Sequence, residues 1–301
     1  LHDASGVILA ECERAARLWG AAGAHILVNG STCGILAAIR AFAGHDRGVV
    51  VARNSHKSVY NGIELCRLKP TYIYPAMDAQ SGICGSITPA QVDRALADAP
   101  DARLVILTSP TYEGVISDIA GIAAVCRAHD VPLLVDNAHG AYLGFCEPST
   151  HPIALGAHMC CDSAHKTLPV LTGGAYLHIA GRAPSFFREA APEALSLFAS
   201  SSPSYLILQS LDLANRYLSE GYAERLADFT PRLDALKERL AELGPADNST
   251  DEAILAEAAK YGIRRKDIVF DTLCLTVSAD NRAAMETLRA LRIIRKELGC
   301  H

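Results

Sequence analysis

The sequence lacks a long hydrophobic run and lacks an excess of positive charge. No apolar stretch in its 301 residues approaches the roughly 20 residues of a membrane-spanning helix. The N-terminus has no basic segment followed by an apolar one, as a signal peptide would have. With 28 basic and 33 acidic residues the net charge is −5, so no basic surface for nucleic acid is expected. These absences predict a cytoplasmic protein with a small-molecule partner and no nucleic-acid or membrane partner.

The ten cysteines form no CxxC pair and no spacing typical of a metal site. In a short secreted chain such a number could indicate a disulfide framework. Scattered through a chain of this length, they indicate the reduced thiols of a cytosolic protein. The adjacent pair Cys160 and Cys161 is interpreted as buried strand residues. No disulfide and no metal site is predicted.

Short aliphatic runs alternate with helical patterns over the first two thirds of the chain. This alternation predicts an α/β fold with a mostly parallel seven-stranded sheet and helices on both faces. Strands are predicted at 25–28, 48–52, 71–74, 103–107, 132–135, 158–161 and 175–179. Helices are predicted at 7–19, 35–42, 89–97 and 119–129, the third capped by Thr88 and the fourth by Asp118.

The pattern changes in the last third of the chain, which predicts a small C-terminal α+β domain. Its elements are a long helical stretch over 203–243, a strand over 268–277 and a helix over 281–298. The boundary is predicted inside the long helical stretch. The chain is therefore expected to comprise a major domain, 1–225, and a small domain, 226–301.

An aspartate and a lysine thirty positions apart stand at or just beyond the ends of two predicted strands. Asp136 ends an apolar run, so its carboxylate should be partly buried and should need a partner. Lys166 has apolar neighbours that would favour its neutral amine. A lysine amine can form an imine with the aldehyde of pyridoxal phosphate, and a carboxylate can keep the pyridine nitrogen protonated. The pair predicts a pyridoxal phosphate enzyme; the alternatives are a helix cap for Asp136 and a solvated Lys166.

The segment 29–34 (NGSTCG) joins a predicted strand to a predicted helix. Its small residues allow a ligand to approach the backbone, Ser31 and Thr32 carry hydroxyl donors, and a helix N-terminus favours an anion. Ligands of open α/β sheets bind beyond the carboxyl ends of the strands. A phosphate site is therefore predicted here, with an ordinary capped turn as the alternative.

Two histidines lie in loops at the same predicted edge of the sheet. His56 follows the second strand, where its imidazole could stack on a pyridine ring and deliver a proton. His139 follows Asp136 by three residues and could orient that carboxylate or reach the ring hydroxyl of the cofactor. For both residues the alternative is a structural loop histidine.

Six segments, in this order, resemble the major domain of the ornithine/lysine/arginine decarboxylases. They are 29–34, 53–61 (RNSHKSVYN), 108–115 (TSPTYEGV), 135–141 (VDNAHGA), 163–168 (SAHKTL) and 200–206 (SSSPSYL). The resemblance implies a fold-type I architecture like that of aspartate aminotransferase. It also implies a homodimer whose subunits share their active sites.

The resemblance implies a role for each matched residue. Lys166 would carry the cofactor as an internal aldimine, Asp136 would pair with the pyridine nitrogen, and His56 would stack on the ring. The phosphate would be held by Thr32, Cys33, Gly34, Ser163 and His165, with Ser201 and Ser202 reaching the phosphate of the neighbouring subunit.

The implied activity is decarboxylation of an amino acid, basic in character (lysine, arginine or ornithine), through an external aldimine and a quinonoid, in polyamine biosynthesis. Two alternatives stay open: another fold-type I activity, such as that of an aminotransferase, lyase or aldolase, and a non-catalytic paralogue with a binding or regulatory role. Glu113 or Asp78 could bind the distal cation of a basic substrate, or both could be solvated surface acids.

The chain departs from the family pattern at three positions. Asn137 stands where the family usually has Glu, Ala164 where it has Thr, and Gly173 where it has a polar residue. These changes are compatible with cofactor chemistry and leave the substrate open. A segment of the family that precedes Leu1 is expected upstream of the sequence given.

Overall fold

The aliphatic runs of the sequence form one seven-stranded sheet in the computed structural model of the chain. The structure describes residues 4–79, 83–242, 256 and 258–263. The chain divides into two units, Leu1–Glu224 and Arg225–His301. The strand predicted at 268–277 and the helix predicted at 281–298 lie outside the described residues, so the α+β character of the small domain stays a prediction.

Six strands of the sheet run parallel and one runs against them. The strands are β1 (Gly23–Leu27), β2 (Gly48–Ala52), β3 (Lys69–Ile73), β4 (Ala102–Thr108), β5 (Leu133–Asp136), β6 (Met159–Asp162) and β7 (Ala175–Ile179). Their order is β1-β7-β6-β5-β4-β2-β3, and β7 is antiparallel to both of its neighbours. The predicted mostly parallel sheet of seven strands is confirmed.

The described residues also form helices. They are α1 (Gly6–Leu18), α2 (Gly30–Ala43), α3 (Lys57–Leu65), α4 (Pro89–Asp98), α5 (Ile119–Ala128), α6 (Pro152–Leu155), α7 (Ala164–Thr167), α8 (Ser185–Phe198), α9 (Tyr205–Ser219) and α10 (Tyr222–Glu242). The predicted caps are confirmed: Thr88 Oγ1 accepts a hydrogen bond from Gln91 N, and Asp118 Oδ1 accepts one from Gly121 N. The stretch predicted at 203–243 is divided into α9 and α10 next to Gly221, which has a φ of +73°.

Two apolar cores lie on the two faces of the sheet. One joins the sheet to α2, α3 and α8, and the other joins it to α4 and α5. All five residues of β2 and the run Leu104–Leu107 of β4 are buried. A continuous apolar sequence is typical of parallel strands covered on both faces, because neither set of side chains meets water.

The parallel arrangement brings the carboxyl ends of β1, β2, β4, β5 and β6 to one edge of the sheet, where antiparallel β7 begins. Loops that follow these strands therefore converge, whatever their distance in sequence. None of the described helices combines the length and apolar character needed to cross a membrane.

Candidate functional site

A cleft of about 320 Å³ opens at this edge of the sheet. Twelve of the described residues line it: Ser31, Asn54, His56, Cys84, Thr108, Thr111, Tyr112, Glu113, Asp136, Ala138, His139 and Lys166. Its volume suits a small molecule, since ligand pockets measure about 300–1,000 Å³. Five of the predicted site residues meet there: Ser31, His56, Asp136, His139 and Lys166.

Asp136 ends β5 and is 3% exposed. Its Oδ1 accepts a hydrogen bond from Ala138 N at 3.2 Å. Burial raises the pKa of the Asp136 carboxyl to about 6, although the Ala138 hydrogen bond and the charge of Lys166 oppose the shift. A cation at the cleft floor would therefore stabilise the ionised carboxylate.

Lys166 lies in the one-turn helix α7 and is exposed to the cleft. The expected apolar setting is wrong, because the Lys166 side chain is exposed and the apolar residues that follow it, 168–171, are not among the cleft residues. The Lys166 amine instead lies 3.2 Å from His139 Nε2.

Both cleft histidines have a lowered pKa. For His139 the causes are burial and then the charge of Lys166, and its ring meets the Tyr112 ring edge-on with centroids 5.6 Å apart. For His56 the causes are burial and then Lys166. His56 Nδ1 accepts a hydrogen bond from Ser58 N at 3.3 Å, so the proton of the neutral ring lies on Nε2.

Hydroxyl and backbone donors meet at the start of α2. Ser31 Oγ and Ser163 Oγ lie 2.5 Å apart, which joins α2 to the end of β6. Gly30 N donates to Gly173 O at 2.8 Å. Gly173 has a φ of +102°, a conformation that side-chain-bearing residues rarely adopt, which accounts for a glycine at this position.

His165 is hydrogen-bonded to Gly174, the residue just before β7. Its backbone N donates to Gly174 O at 3.2 Å, and its Nδ1 lies 3.0 Å from the same oxygen. The Nδ1 proton is therefore committed to the backbone, and Nε2 is the ring atom left to meet a ligand.

The remaining residues predicted to hold a phosphate differ in what they can offer. Cys33 is buried in the core, and burial raises its thiol pKa to about 11, so its side chain is neither exposed nor ionised. A Cβ at Gly34 would overlap Cys161 Sγ, so this glycine allows α2 to approach the sheet. Both residues can offer only backbone groups, whereas the hydroxyl-bearing Thr32 is exposed.

Ser201 and Ser202 lie in the loop between α8 and α9 and are exposed. The neighbouring Ser200 N donates to Asn29 Oδ1 at 3.1 Å, and Asn29 is the residue before α2. The loop is thus joined to the α2 end of its own chain. Its contact with another subunit stays a prediction.

Two cleft residues that the sequence reasoning did not select have unsatisfied groups. Asn54 Oδ1 and Thr108 Oγ1 are buried without a hydrogen-bond partner among the described residues. Buried polar atoms are rarely left unpaired, so each of these two atoms is available to hydrogen-bond a group bound in the cleft. With Asp136 and the hydroxyls at α2, they fit a cofactor with a basic ring nitrogen, polar substituents and a phosphate.

A buried cluster behind the cleft was also missed. Asp162, at the end of β6, is surrounded by Asn137, His151, Cys160 and His178. The sequence carried a signal for this cluster, because Asp162 ends an apolar strand as Asp136 does.

The comparisons place the chain among known proteins. The family model "Orn/Lys/Arg decarboxylase, major domain" matches residues 1–272. The chain is 36% identical over 270 residues to the uncharacterized protein YaaO of Bacillus subtilis, covering 88% of this chain and 56% of that protein. It is 34% identical over 235 residues to an arginine decarboxylase of Halalkalibacterium halodurans, covering 76% and 48%.

Among solved structures, the constitutive lysine decarboxylase of Escherichia coli matches with a TM-score of 0.67 and 26% identity. The match covers 82% of this chain and 36% of that one. The chain spans about half the length of the curated relatives it matches.

Proposed function

Since the chain belongs to the Orn/Lys/Arg decarboxylase family, whose enzymes depend on pyridoxal phosphate, we propose that it decarboxylates a basic amino acid: arginine, lysine or ornithine. The predicted cofactor is thereby confirmed at the level of the family. The observation that carries the proposal is the buried Asp136 carboxyl in the same cleft as the Lys166 amine. Relatives named arginine decarboxylase and lysine decarboxylase support a basic substrate.

Pyridoxal phosphate, when bound, supplies an aldehyde for a primary amine and a ring that withdraws electrons from the substrate. Lys166 is the amine that would hold it, and Asp136 would share a proton with its ring nitrogen. The hydroxyls of Ser31 and Ser163 and the backbone N–H groups at the start of α2 would bind the phosphate. His165 could add its Nε2.

Two histidines of the described chain present ring nitrogens to the cleft. His56 carries its proton on Nε2 because Ser58 N occupies Nδ1, so this N–H can donate a hydrogen bond to a bound group. His139 Nε2 lies 3.2 Å from the Lys166 amine and can accept a hydrogen bond from it. Burial and then the charge of Lys166 lower the pKa of both imidazoles, which favours their neutral forms.

Glu113 is our candidate for binding the distal cation of the substrate. Its side chain lines the cleft. The negative charge of Glu113 raises the pKa of His139 and so opposes part of the lowering caused by burial and by Lys166. Asp78, the other acid considered from the sequence, is not one of the twelve lining residues. An acid opposite the reacting end would select lysine, ornithine or arginine over neutral amino acids.

Purified protein loaded with pyridoxal phosphate should release carbon dioxide and an equal amount of primary amine from at least one basic amino acid, and none from leucine. A keto acid without gas would favour an aminotransferase. Glu113→Gln should raise KM for the basic substrate about tenfold, as for the loss of about 1.4 kcal/mol of binding. An unchanged KM would remove Glu113 from the substrate site.

Lys166→Ala should abolish the visible absorbance of the loaded protein, because the amine that attaches the cofactor is gone. The matched control is Lys69→Ala, an exposed lysine at the start of β3, which should keep the band. Persistence of the band in Lys166→Ala would refute the assignment.

A further inference from the structure

Asp162 accepts hydrogen bonds from four side chains. Neither Asp162 nor any of these four residues is among the residues that line the cleft. Asn137 Nδ2 and Cys160 Sγ donate to its Oδ1 at 2.6 and 3.3 Å. His151 Nε2 and His178 Nε2 donate to its Oδ2, both at 3.0 Å. All five residues are buried. The carboxylate thus links β5, β6, β7 and the start of α6.

Both histidines donate to Asp162 through Nε2. His151 Nδ1 accepts from Ile153 N at 3.3 Å, so the ring proton lies on Nε2 and points to Asp162. His178 Nδ1 has no partner among the described residues, and burial lowers the pKa of this ring. Burial alone would raise the pKa of Asp162, but the two histidines outweigh it and hold the pKa well below its usual range. The four hydrogen bonds and the lowered pKa both favour the ionised form of Asp162.

The ligand atoms of His151, Cys160 and Asp162 lie within 4.8 Å of one another, a spacing that could accommodate a metal ion. Hydrogen bonds already account for both carboxylate oxygens, and burial raises the pKa of the Cys160 thiol far above its usual range. Both carboxylate oxygens of Asp162 therefore have donors, while Asn137 Oδ1 and His178 Nδ1 have no partner among the described residues.

This anion lies between the two segments that carry the cleft residues. Asn137 directly follows Asp136, and its backbone N donates to Cys161 O at 2.9 Å while its side chain donates to Asp162. Asp162 directly precedes the turn that leads through Ser163 to Lys166. The hydrogen bond from Asn137 to Asp162 therefore fixes the segment of Asp136 against the segment of Lys166.

We propose that Asp162 is a positioning residue for the cofactor site, holding these two segments in register and supplying a fixed negative charge behind them. The charge of Asp162 affects the site, since it raises the pKa of Asp136 in the same direction as burial does. A second anion behind Asp136 favours cations in the cleft, including a protonated ring nitrogen. The inference rests on the proposed function in that a cofactor with such a nitrogen binds there.

Asp162→Asn tests both parts of the role. The affinity for pyridoxal phosphate, measured by titration of the cofactor-free protein, should fall about tenfold or more. The pH midpoint of the visible band should shift down by about half a unit, because removing an anion destabilises the protonated cofactor. A residue that only stabilised the fold would not move this midpoint.

Asn137→Ala distinguishes the positioning of the two segments from the effect of the Asp162 charge. It also provides a test of the positioning if Asp162→Asn does not fold. It removes the bond between the segments and keeps the carboxylate, so affinity should fall while the midpoint stays at the wild-type pH. The matched control is Asp93→Asn, which removes a carboxylate hydrogen-bonded to His129 at 2.7 Å on the exposed side of α4. Neither affinity nor midpoint should change in that variant.

The role is overturned if Asn137→Ala and a folded Asp162→Asn both bind the cofactor as the wild type does, whatever their thermal stability. An unshifted midpoint in a folded Asp162→Asn would remove the electrostatic part. Wild-type protein that binds no cofactor would refute the proposed function and this role with it, so the two failures are distinguishable.

Discussion

Single residues explain why the cleft favours a cation. The Asp136 carboxyl is buried with its pKa raised to about 6 from an ordinary value of 3.8, which means that ionisation costs free energy in the folded state. Asp162, equally buried, has its charge satisfied by four donors and stays ionised. The two acids thus differ because Asp162 accepts hydrogen bonds from four side chains, whereas Asp136 accepts one from the backbone of Ala138.

The raised pKa of Asp136 predicts how the stability of the cofactor-free protein varies with pH. The folded state binds this proton more tightly than the unfolded state, so the contribution of Asp136 is favourable below pH 4 and is lost as pH rises through about 6. Asp136→Asn should therefore gain stability relative to wild type between pH 4 and 7, by up to about 3 kcal/mol. Urea unfolding of both proteins across this range measures the difference, and a constant difference would contradict it.

Among the elements, α2 depends most visibly on a close approach to the sheet. Its Gly34 faces Cys161 of β6, and a Cβ there would also lie 2.8 Å from Leu27 Cδ1. Because Ser31 stands one turn earlier, the packing at Gly34 fixes where the hydroxyl and backbone donors of this helix meet the cleft.

Gly34→Ala should destabilise the protein by about 1–3 kcal/mol, as overpacking of a core does, and should also weaken cofactor binding by displacing the start of α2. Gly23→Ala in β1 is the matched control, since a Cβ there meets no atom within 4 Å. Urea unfolding and cofactor titration check both effects. Equal stabilities for the two variants would show that α2 has more room than the structure indicates.

At the scale of the whole molecule, the resemblance implies that two subunits share each site. The resemblance assigns Ser201 and Ser202 to the phosphate of a neighbouring subunit. The hydrogen bond from Ser200 to Asn29 would equally allow these serines to serve their own chain. The two arrangements differ in which chain must supply the hydroxyls.

Co-expression of a Lys166→Ala chain with a chain carrying Ser201→Ala and Ser202→Ala distinguishes the arrangements. If sites are shared, each mixed dimer has one site with an intact lysine and intact serines. Cofactor binding at low concentration should then recover relative to either variant alone. No recovery in mixed dimers isolated by two affinity tags would assign the serines to their own subunit.

The sequence by itself determined the seven strands, most helix positions and the meeting of Asp136 with Lys166. Aliphatic runs are local signals, and the carboxyl ends of parallel strands must share an edge. The predicted family and fold class are confirmed for the same reason, since they depend on short motifs at those strand ends.

Only the tertiary structure decided the antiparallel course of β7, the exposure of Lys166 and the donors around Asp162. His151 and His178 reach Asp162 from different elements, and Asn137 reaches it across neighbouring strands. The environment of a side chain is made by residues distant in sequence, so no local pattern could distinguish the saturated Asp162 from the donor-poor Asp136. That difference in environment is what makes one aspartate a candidate to bind the cofactor and the other a candidate to position it.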